Sequence, residues 1–214
     1  MDSGSTAPDL GPFSLLETMR LQDGQVRRLE RHLARMAEAA RHFGYPWDEQ
    51  TVRRAVASIA STHREGCWRL RLLLARDGAP TVECTSYVRE ARGPWRVAFA
   101  AAPVDEQDPF ILNKTTRRNV YDRARRSRSD VDDVLLWNGR DEVTESTIGN
   151  VVAEIGGVRY TPPVSCGLLA GTFRAEQLES GTIRERVLTK TDVANASRLW
   201  LINSVREWID VVLV

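Results

Sequence analysis

Apolar residues recur along this chain at two different periods. Leu29, Leu33, Met36, Ala37, Ala40 and Phe43 fall on one face of a helix, which Gly44 and Pro46 then stop. A second helix is predicted from Asp48, an N-cap residue, through Val52, Val56, Ile59 and Ala60. Elsewhere the period is two. Residues 13–21 read as a strand that turns at Asp23-Gly24. Trp68, Leu70, Leu72 and Leu74 alternate with Arg69, Arg71 and Leu73, so this stretch is a strand; Asp77-Gly78 turns it into a partner over 81–88. Residues 95–102 form one more strand, and the acidic, proline-bracketed stretch 103–109 reads as a linker.

Beyond it the spacing predicts a charged helix over 115–128, with Val120 and Ala124 its only apolar i, i+4 pair. Strand 134–137 should turn at Asn138-Gly139, and strand 151–155 at Gly156-Gly157 into 158–160. A helix over 172–179 ends at Gly181, followed by a strand over 183–188, a short helix over 192–197 and a strand over 199–203. Strands and helices mix without a βαβ rhythm, which points to an α+β fold. The predicted organisation is a disordered tail (1–12), an N-terminal α/β subdomain (13–102), the linker (103–109) and a C-terminal subdomain (110–214).

Composition narrows the function classes. The formal net charge of +1 gives no global field for nucleic acid or membrane. The arginines of 117–128 are largely neutralised by Asp122, Asp130, Asp132 and Asp133, and no aromatic residues interleave them for base stacking. No apolar run approaches the ~18 residues of a membrane helix. Cys67, Cys84 and Cys166 show neither a metal-ligand spacing nor a disulfide framework, which fits a reducing, cytoplasmic setting and no bound metal.

One residue type stands out. Among 30 lysines and arginines only Lys114 and Lys190 are lysine. Lysine, unlike arginine, can lose its proton and act as nucleophile or base. Lys114 lies in Lys114-Thr115-Thr116-Arg117-Arg118, followed by Val143-Thr144-Glu145-Ser146, Asn150, Tyr160-Thr161-Pro162-Pro163 and 167–174 (GLLAGTFR). This order resembles the class IV pyridoxal-phosphate enzymes, a group that includes aminodeoxychorismate lyases, branched-chain aminotransferases and D-amino acid aminotransferases. The resemblance runs from about Phe13 to the C-terminus.

It implies a fold-type IV enzyme with pyridoxal 5'-phosphate in the cleft between two α/β subdomains, acting on a small molecule as a homodimer. Residue by residue, it implies Lys114 as the amine that bonds the cofactor and Glu145 as the acid beside the pyridine nitrogen. In His32-Leu33-Ala34-Arg35-Met36 it implies Arg35 as a phosphate ligand. The backbone amides of Thr172 and Phe173 and the hydroxyl of Ser204 inherit phosphate contacts. Thr18, in Leu15-Leu16-Glu17-Thr18-Met19-Arg20, matches a threonine thought to assist a departing pyruvate. Arg71, inward or outward on its strand, is a candidate for a substrate carboxylate.

The wording around Thr18, Lys114 and 201–206 is most similar to lyase domains fused behind aminodeoxychorismate synthases. The expected reaction is therefore conversion of 4-amino-4-deoxychorismate to 4-aminobenzoate and pyruvate, with an aminotransferase or a non-catalytic binding protein as alternatives. Two departures from the family pattern are a strand missing ahead of Phe13 and Asn119 in place of a tyrosine five residues after the lysine.

Overall fold

In β1 (Leu15–Gln22), every second side chain is committed to one face: Leu15, Met19 and Leu21 are fully buried. A two-residue turn, Asp23 (φ 49°) and Gly24 (φ 79°), leads into β2 (Gln25–Val26), as the right-handed strand twist favours. With β3 (Cys67–Leu74) and β4 (Pro80–Ser86) these strands form an antiparallel sheet of order β2-β1-β3-β4. Helices α1 (Leu29–Phe43) and α2 (Glu49–Thr62) cover its apolar face. There Leu33, Met36, Ala40, Val52 and Val56 pack on Leu15, Met19, Leu70 and Leu72. The predicted stops hold. Gly44 is left-handed at φ 68°, and the Asp48 carboxylate accepts from the N–H groups of Gln50 and Thr51. The computed structural model describes residues 11–89 and 92–214, so the tail expected over 1–12 lies almost wholly outside the described residues.

The second sheet comprises β5 (Trp95–Phe99), β6 (Asp133–Trp137), β7 (Val143–Ser146), β8 (Asn150–Ile155), β9 (Val158–Thr161), β10 (Arg184–Glu185), β11 (Arg198–Asn203) and β12 (Glu207–Leu213). Its order is β10-β9-β8-β11-β12-β5-β6-β7, and β7 also pairs with β8, so the strands from β8 round to β7 close on themselves. β5 runs parallel to both β12 and β6, and the remaining pairings within that ring are antiparallel. Val97, Leu135, Val143, Val151, Leu199 and Leu201 fill one side of this sheet. Among the described residues four further α-helices are short: α3 (Pro109–Leu112), α4 (Asn119–Arg126), α5 (Thr172–Glu179) and α6 (Lys190–Ala194). The fold is α+β, as expected.

Several details differ from the sequence reading. β5 belongs to the second sheet, not to the first half, because its partners β6 and β12 are distant in sequence. Residues 103–109 are not a free linker: Val104 is buried and bridges to Asn138, and Glu106 lies against Gly167. A Cβ on Gly167 would sit 2.4 Å from the Glu106 Cα. Residues 115–118 are not helical, since Thr115 bridges instead to Leu15. The turn at Asn138-Gly139 is a longer loop with Asp141, not Gly139, in the left-handed region at φ 60°. The Asn138 side chain shapes it by accepting from the N–H groups of Arg140 (2.9 Å) and Glu142 (3.2 Å). The strand over 183–188 is reduced to β10, and β12 was not anticipated.

Candidate active site

The alternation that buries Leu15 and Met19 sends Leu16 and Thr18 to the opposite face of the first sheet, together with Arg69 and Arg71 of β3. That face and one end of the second sheet enclose a cleft of about 330 Å³. Lys114 enters it from an extended segment. Its carbonyl accepts from the Leu16 N–H (3.0 Å), and the Thr116 N–H donates to the Ser14 carbonyl (2.9 Å). This short pairing sets Lys114 beside Leu16 and Thr18. Burial, with help from the Arg35 and Arg118 guanidiniums, outweighs Glu17 and Glu145 and pushes the amine down to about 8.

Glu145, the penultimate residue of β7, faces Asn150 at the start of β8, so residues five apart in sequence become cross-strand neighbours. The tight loop between them is closed by the Ser146 N–H donating to the Gly149 carbonyl (2.8 Å). A Cβ on Gly149 would lie 2.4 Å from the Ile202 carbonyl oxygen, so the loop packs on β11 as only glycine allows. The buried Glu145 carboxyl accepts from the Tyr121 hydroxyl (2.7 Å) and the Leu169 amide. Burial pushes it up to about 7, against those hydrogen bonds and the pull of Lys114 and Arg118. Asn150 donates to the Leu169 carbonyl (2.9 Å). Its Oδ1 lies 2.0 Å from where a Cβ on Gly171 would be, which fixes the entry to α5.

That entry is the third corner. Gly171 caps α5 without a side-chain hydrogen bond, so the first amides of the helix are open to an anion. Around it stand Thr172, Ser204 and Arg35, all lining the cleft. The Phe173 side chain is elsewhere: it packs in the core with Val152 and Trp200 and under Arg28, leaving only its backbone amide at the helix start. Arg35 is held by Glu17 through Nε (2.8 Å) and Nη2 (2.6 Å), and its Nη1 donates to the Ala170 carbonyl (2.8 Å). Burial alone would raise the Glu17 carboxyl, but Arg35 and His32 overcome it and hold it down to about 2. Thr18 pairs across the strands with Arg71, whose Nη1 donates to Glu83 (3.1 Å). Arg71 thus lies on the cleft face, with Arg69 two residues away.

The geometry therefore assembles one amine that sheds its proton near neutrality, one buried carboxyl with neutral hydrogen-bond partners, and one anion-binding helix start. A family model described as amino-transferase class IV matches residues 14–214. The chain belongs to the amino-transferase class IV family. Members of this family are pyridoxal-phosphate-dependent enzymes, and the sequence-based resemblance to them is borne out. A Schizosaccharomyces pombe protein named "Putative aminodeoxychorismate lyase" is 33% identical over 94% of this chain and 90% of its own length. A solved structure from Mesorhizobium loti, named as a "Putative amino-acid aminotransferase", is 37% identical. It covers 94% of this chain and 100% of its own, with a TM-score of 0.87. The 4-amino-4-deoxychorismate lyase of Pseudomonas aeruginosa shares the fold at a TM-score of 0.77, over 99% of this chain and 89% of its own, at 22% identity. No helix among the described residues is long and apolar enough to cross a membrane.

Two buried polar residues beside the cleft escaped the sequence reading as candidates. Glu17 was passed over, although it occupies a core-facing position between Leu15 and Met19, where a carboxylate needs partners. His32 was noted only as part of a motif, yet it is fully buried in contact with Glu17. Asn119 was weighed as a missing tyrosine. It is exposed, and Tyr121, two residues further on, brings a hydroxyl to Glu145.

Proposed function

We propose that this chain is a pyridoxal-phosphate-dependent lyase that converts 4-amino-4-deoxychorismate to 4-aminobenzoate and pyruvate, a step toward folate. The observation that carries the choice of reaction is Thr18, a hydroxyl on the cleft face of β1 beside the segment bearing Lys114. The residues fit the cofactor. Glu145 is a buried carboxyl with a phenol and an amide as hydrogen-bond partners, which suits a protonated ring nitrogen, and the uncapped start of α5 suits a phosphate.

Bound pyridoxal phosphate supplies an aldehyde for the substrate amine and a ring that accepts the electron pair released at the substrate carbon. Lys114 would hold the cofactor and, as a free amine, would take the proton from the substrate ring carbon that bears the amino group. Its lowered proton affinity suits a base working near neutral pH. Glu145 would hold the proton on the pyridine nitrogen. Thr18 donates to the enolpyruvyl oxygen as its bond to the substrate ring breaks. Arg69 and Arg71 offer charge-assisted partners to a substrate carrying two carboxylates.

The test offers 4-amino-4-deoxychorismate to the enzyme and follows 4-aminobenzoate. Thr18→Val is expected to cut that rate by roughly 10²-fold, the lower end of a lost proton donor, with cofactor affinity unchanged. An unchanged rate removes Thr18 from the chemistry. A class IV aminotransferase is the second reading, favoured by Tyr121 in the cleft and by the Mesorhizobium relative. It predicts transfer of the amino group from leucine or D-alanine to 2-oxoglutarate without 4-aminobenzoate.

Arg35→Ala should weaken pyridoxal phosphate binding by roughly ten- to a hundredfold, since charge-assisted contacts are worth ~1.5–3 kcal/mol. It also strips the buried Glu17 of its cationic partner, so the melting temperature should fall with the affinity. A binding titration and a thermal melt check the two effects separately.

A further inference from the structure

Behind the anion end of the cleft, one imidazole joins the two sheets. His32 is fully buried on α1. Its Nδ1 lies 2.6 Å from Glu17 Oε2, and that carboxyl, held down to about 2, is ionised at any working pH. Nδ1 therefore carries a hydrogen and donates it to Glu17. The chemistry left open is at Nε2, where two hydroxyl oxygens converge: Ser204 Oγ at 2.8 Å and Thr172 Oγ1 at 3.1 Å.

A neutral ring presents a single lone pair at Nε2 and no proton. It consumes the hydrogen of one hydroxyl, which then turns only lone pairs toward its other neighbours. A charged ring presents an N–H there instead, and both hydroxyl hydrogens are released. An anionic phosphate accepts hydrogen bonds and donates none when fully ionised, so it is better served by the second arrangement. We propose that His32 takes up a proton as a phosphate-type dianion docks at Thr172 and Ser204, and that this proton turns both hydroxyls toward the anion. His32 is then a positioning residue for the anion site, with Glu17 as the counter-charge that lets the buried ring become cationic. The inference rests on the proposed cofactor reading of this end of the cleft.

The groups facing the ring support a proton that arrives with the anion. Glu17 faces it from β1, Arg35 from its own helix and Lys114 from the segment paired to β1, while α5 and the turn after β11 present the Thr172 and Ser204 hydroxyls. Next to them Arg28 is paired with Glu176 and Glu207. Without an anion, burial, aided by Arg35 and Lys114, outweighs Glu17 and holds the ring below its ordinary value. Glu17 favours a proton on the ring more than Arg35 opposes it, and a docked dianion adds to the pull of Glu17. By linkage, anion affinity is greatest below the free ring's pKa and falls as pH rises to the pKa in the complex. The slope in that window reaches at most about tenfold per pH unit.

Lys114 and Glu145 also titrate near neutrality, so the ring itself must be observed. The chain has only 3 histidines, His32, His42 and His63, which makes imidazole nitrogen resonances assignable. The experiment records them in the 15N-labelled full chain at pH 7.5, before and after sodium sulfate and, separately, pyridoxal 5'-phosphate. Sulfate keeps its charge throughout, so it reports on the protein's protons alone. The expected result is a His32 ring with one protonated nitrogen that acquires a second with either anion. In His32→Gln, whose amide donates without titrating, sulfate affinity should lose up to about tenfold per pH unit of its pH dependence. Anion binding with His32 still neutral overturns the proton uptake and leaves the anion site standing. Absence of any anion-induced shift at Thr172 and Ser204 overturns both.

Discussion

Lys114→Ala is expected to abolish turnover, by on the order of 10⁴-fold or more, the scale seen when a group acting in concert with its partners is removed. Lys190→Ala should change nothing measurable. The two lysines of the chain sit in opposite environments. Lys190 is a surface residue whose Nζ pairs with Asp141 at 2.9 Å and covers the Trp137 ring. Lys114 lies in a cleft with Arg35 and Arg118, where burial and like charge lower its proton affinity. An amine brought down to about 8 is substantially neutral in a slightly alkaline buffer, and only the neutral amine attacks an aldehyde. Borohydride reduction followed by peptide mass analysis measures the outcome directly. The cofactor mass should be fixed on the peptide holding Lys114, and Lys114→Ala should carry none. A labelled Lys190 peptide, or full activity in Lys114→Ala, would end the pyridoxal-phosphate reading of this chain.

The parts of this site that were legible in the sequence are those that local pairing creates. Glu145 and Asn150 meet because a three-residue loop turns β7 into β8, and the open amides at 172 and 173 follow from Gly171 opening a helix. Lys114 could be singled out by its rarity, but not its backbone: the segment is held extended by hydrogen bonds to Ser14 and Leu16, nearly a hundred residues away. The Glu17–His32–Ser204 chain spans α1, β1 and the far end of β11, and no spacing rule reaches that distance. A local signal existed nonetheless. In the alternation Leu15, Glu17, Met19, Leu21 the acid falls on the apolar phase, and a buried carboxylate requires cationic partners. His32 and Arg35, three apart on the helix that covers this face, are the partners.

The second sheet was less legible for a related reason. β5 lies between β12 and β6, both parallel to it, so its place depends on chain segments far away in either direction. β12 does carry a period-two signal, with Ile209 and Val211 buried and Asp210 and Val212 exposed between them. It completes a closed ring of strands, and the closure matters to function: β7 pairs with β8 at Glu145 and Asn150, within the cleft. The carboxyl proposed for the cofactor nitrogen is thus fixed by the seam of the barrel rather than by a loop.

Glu145→Gln should separate the demands of folding from those of catalysis. In the protein without cofactor, burial raises this carboxyl from its ordinary value to about 7. A carboxyl whose folded pKa lies above its unfolded one is uncharged and undemanding below pH 4.5. As pH rises through the window between the two values, the unfolded chain ionises this carboxyl while the folded state keeps it neutral, a growing penalty that is complete above about 7. At 1.36 kcal/mol per unit the full penalty is up to roughly 3 kcal/mol. Glutamine never ionises, so at pH 8 the ligand-free variant should melt above the parent, and the gap should close toward pH 5. The order reverses once cofactor is present. A neutral amide cannot hold the proton of a ring nitrogen, so turnover should fall by roughly 10²–10⁴-fold, the range for a positioned acid–base group. Melting curves of the ligand-free proteins at pH 5 and 8, with turnover measured on the loaded enzymes, give both comparisons. If Glu145→Gln matched the parent in rate, the ring proton would have to be held by another acid. If it melted lower at pH 8, Glu145 would already be neutralised by a cation of the protein, and the match between this buried acid and a cationic ring would fail.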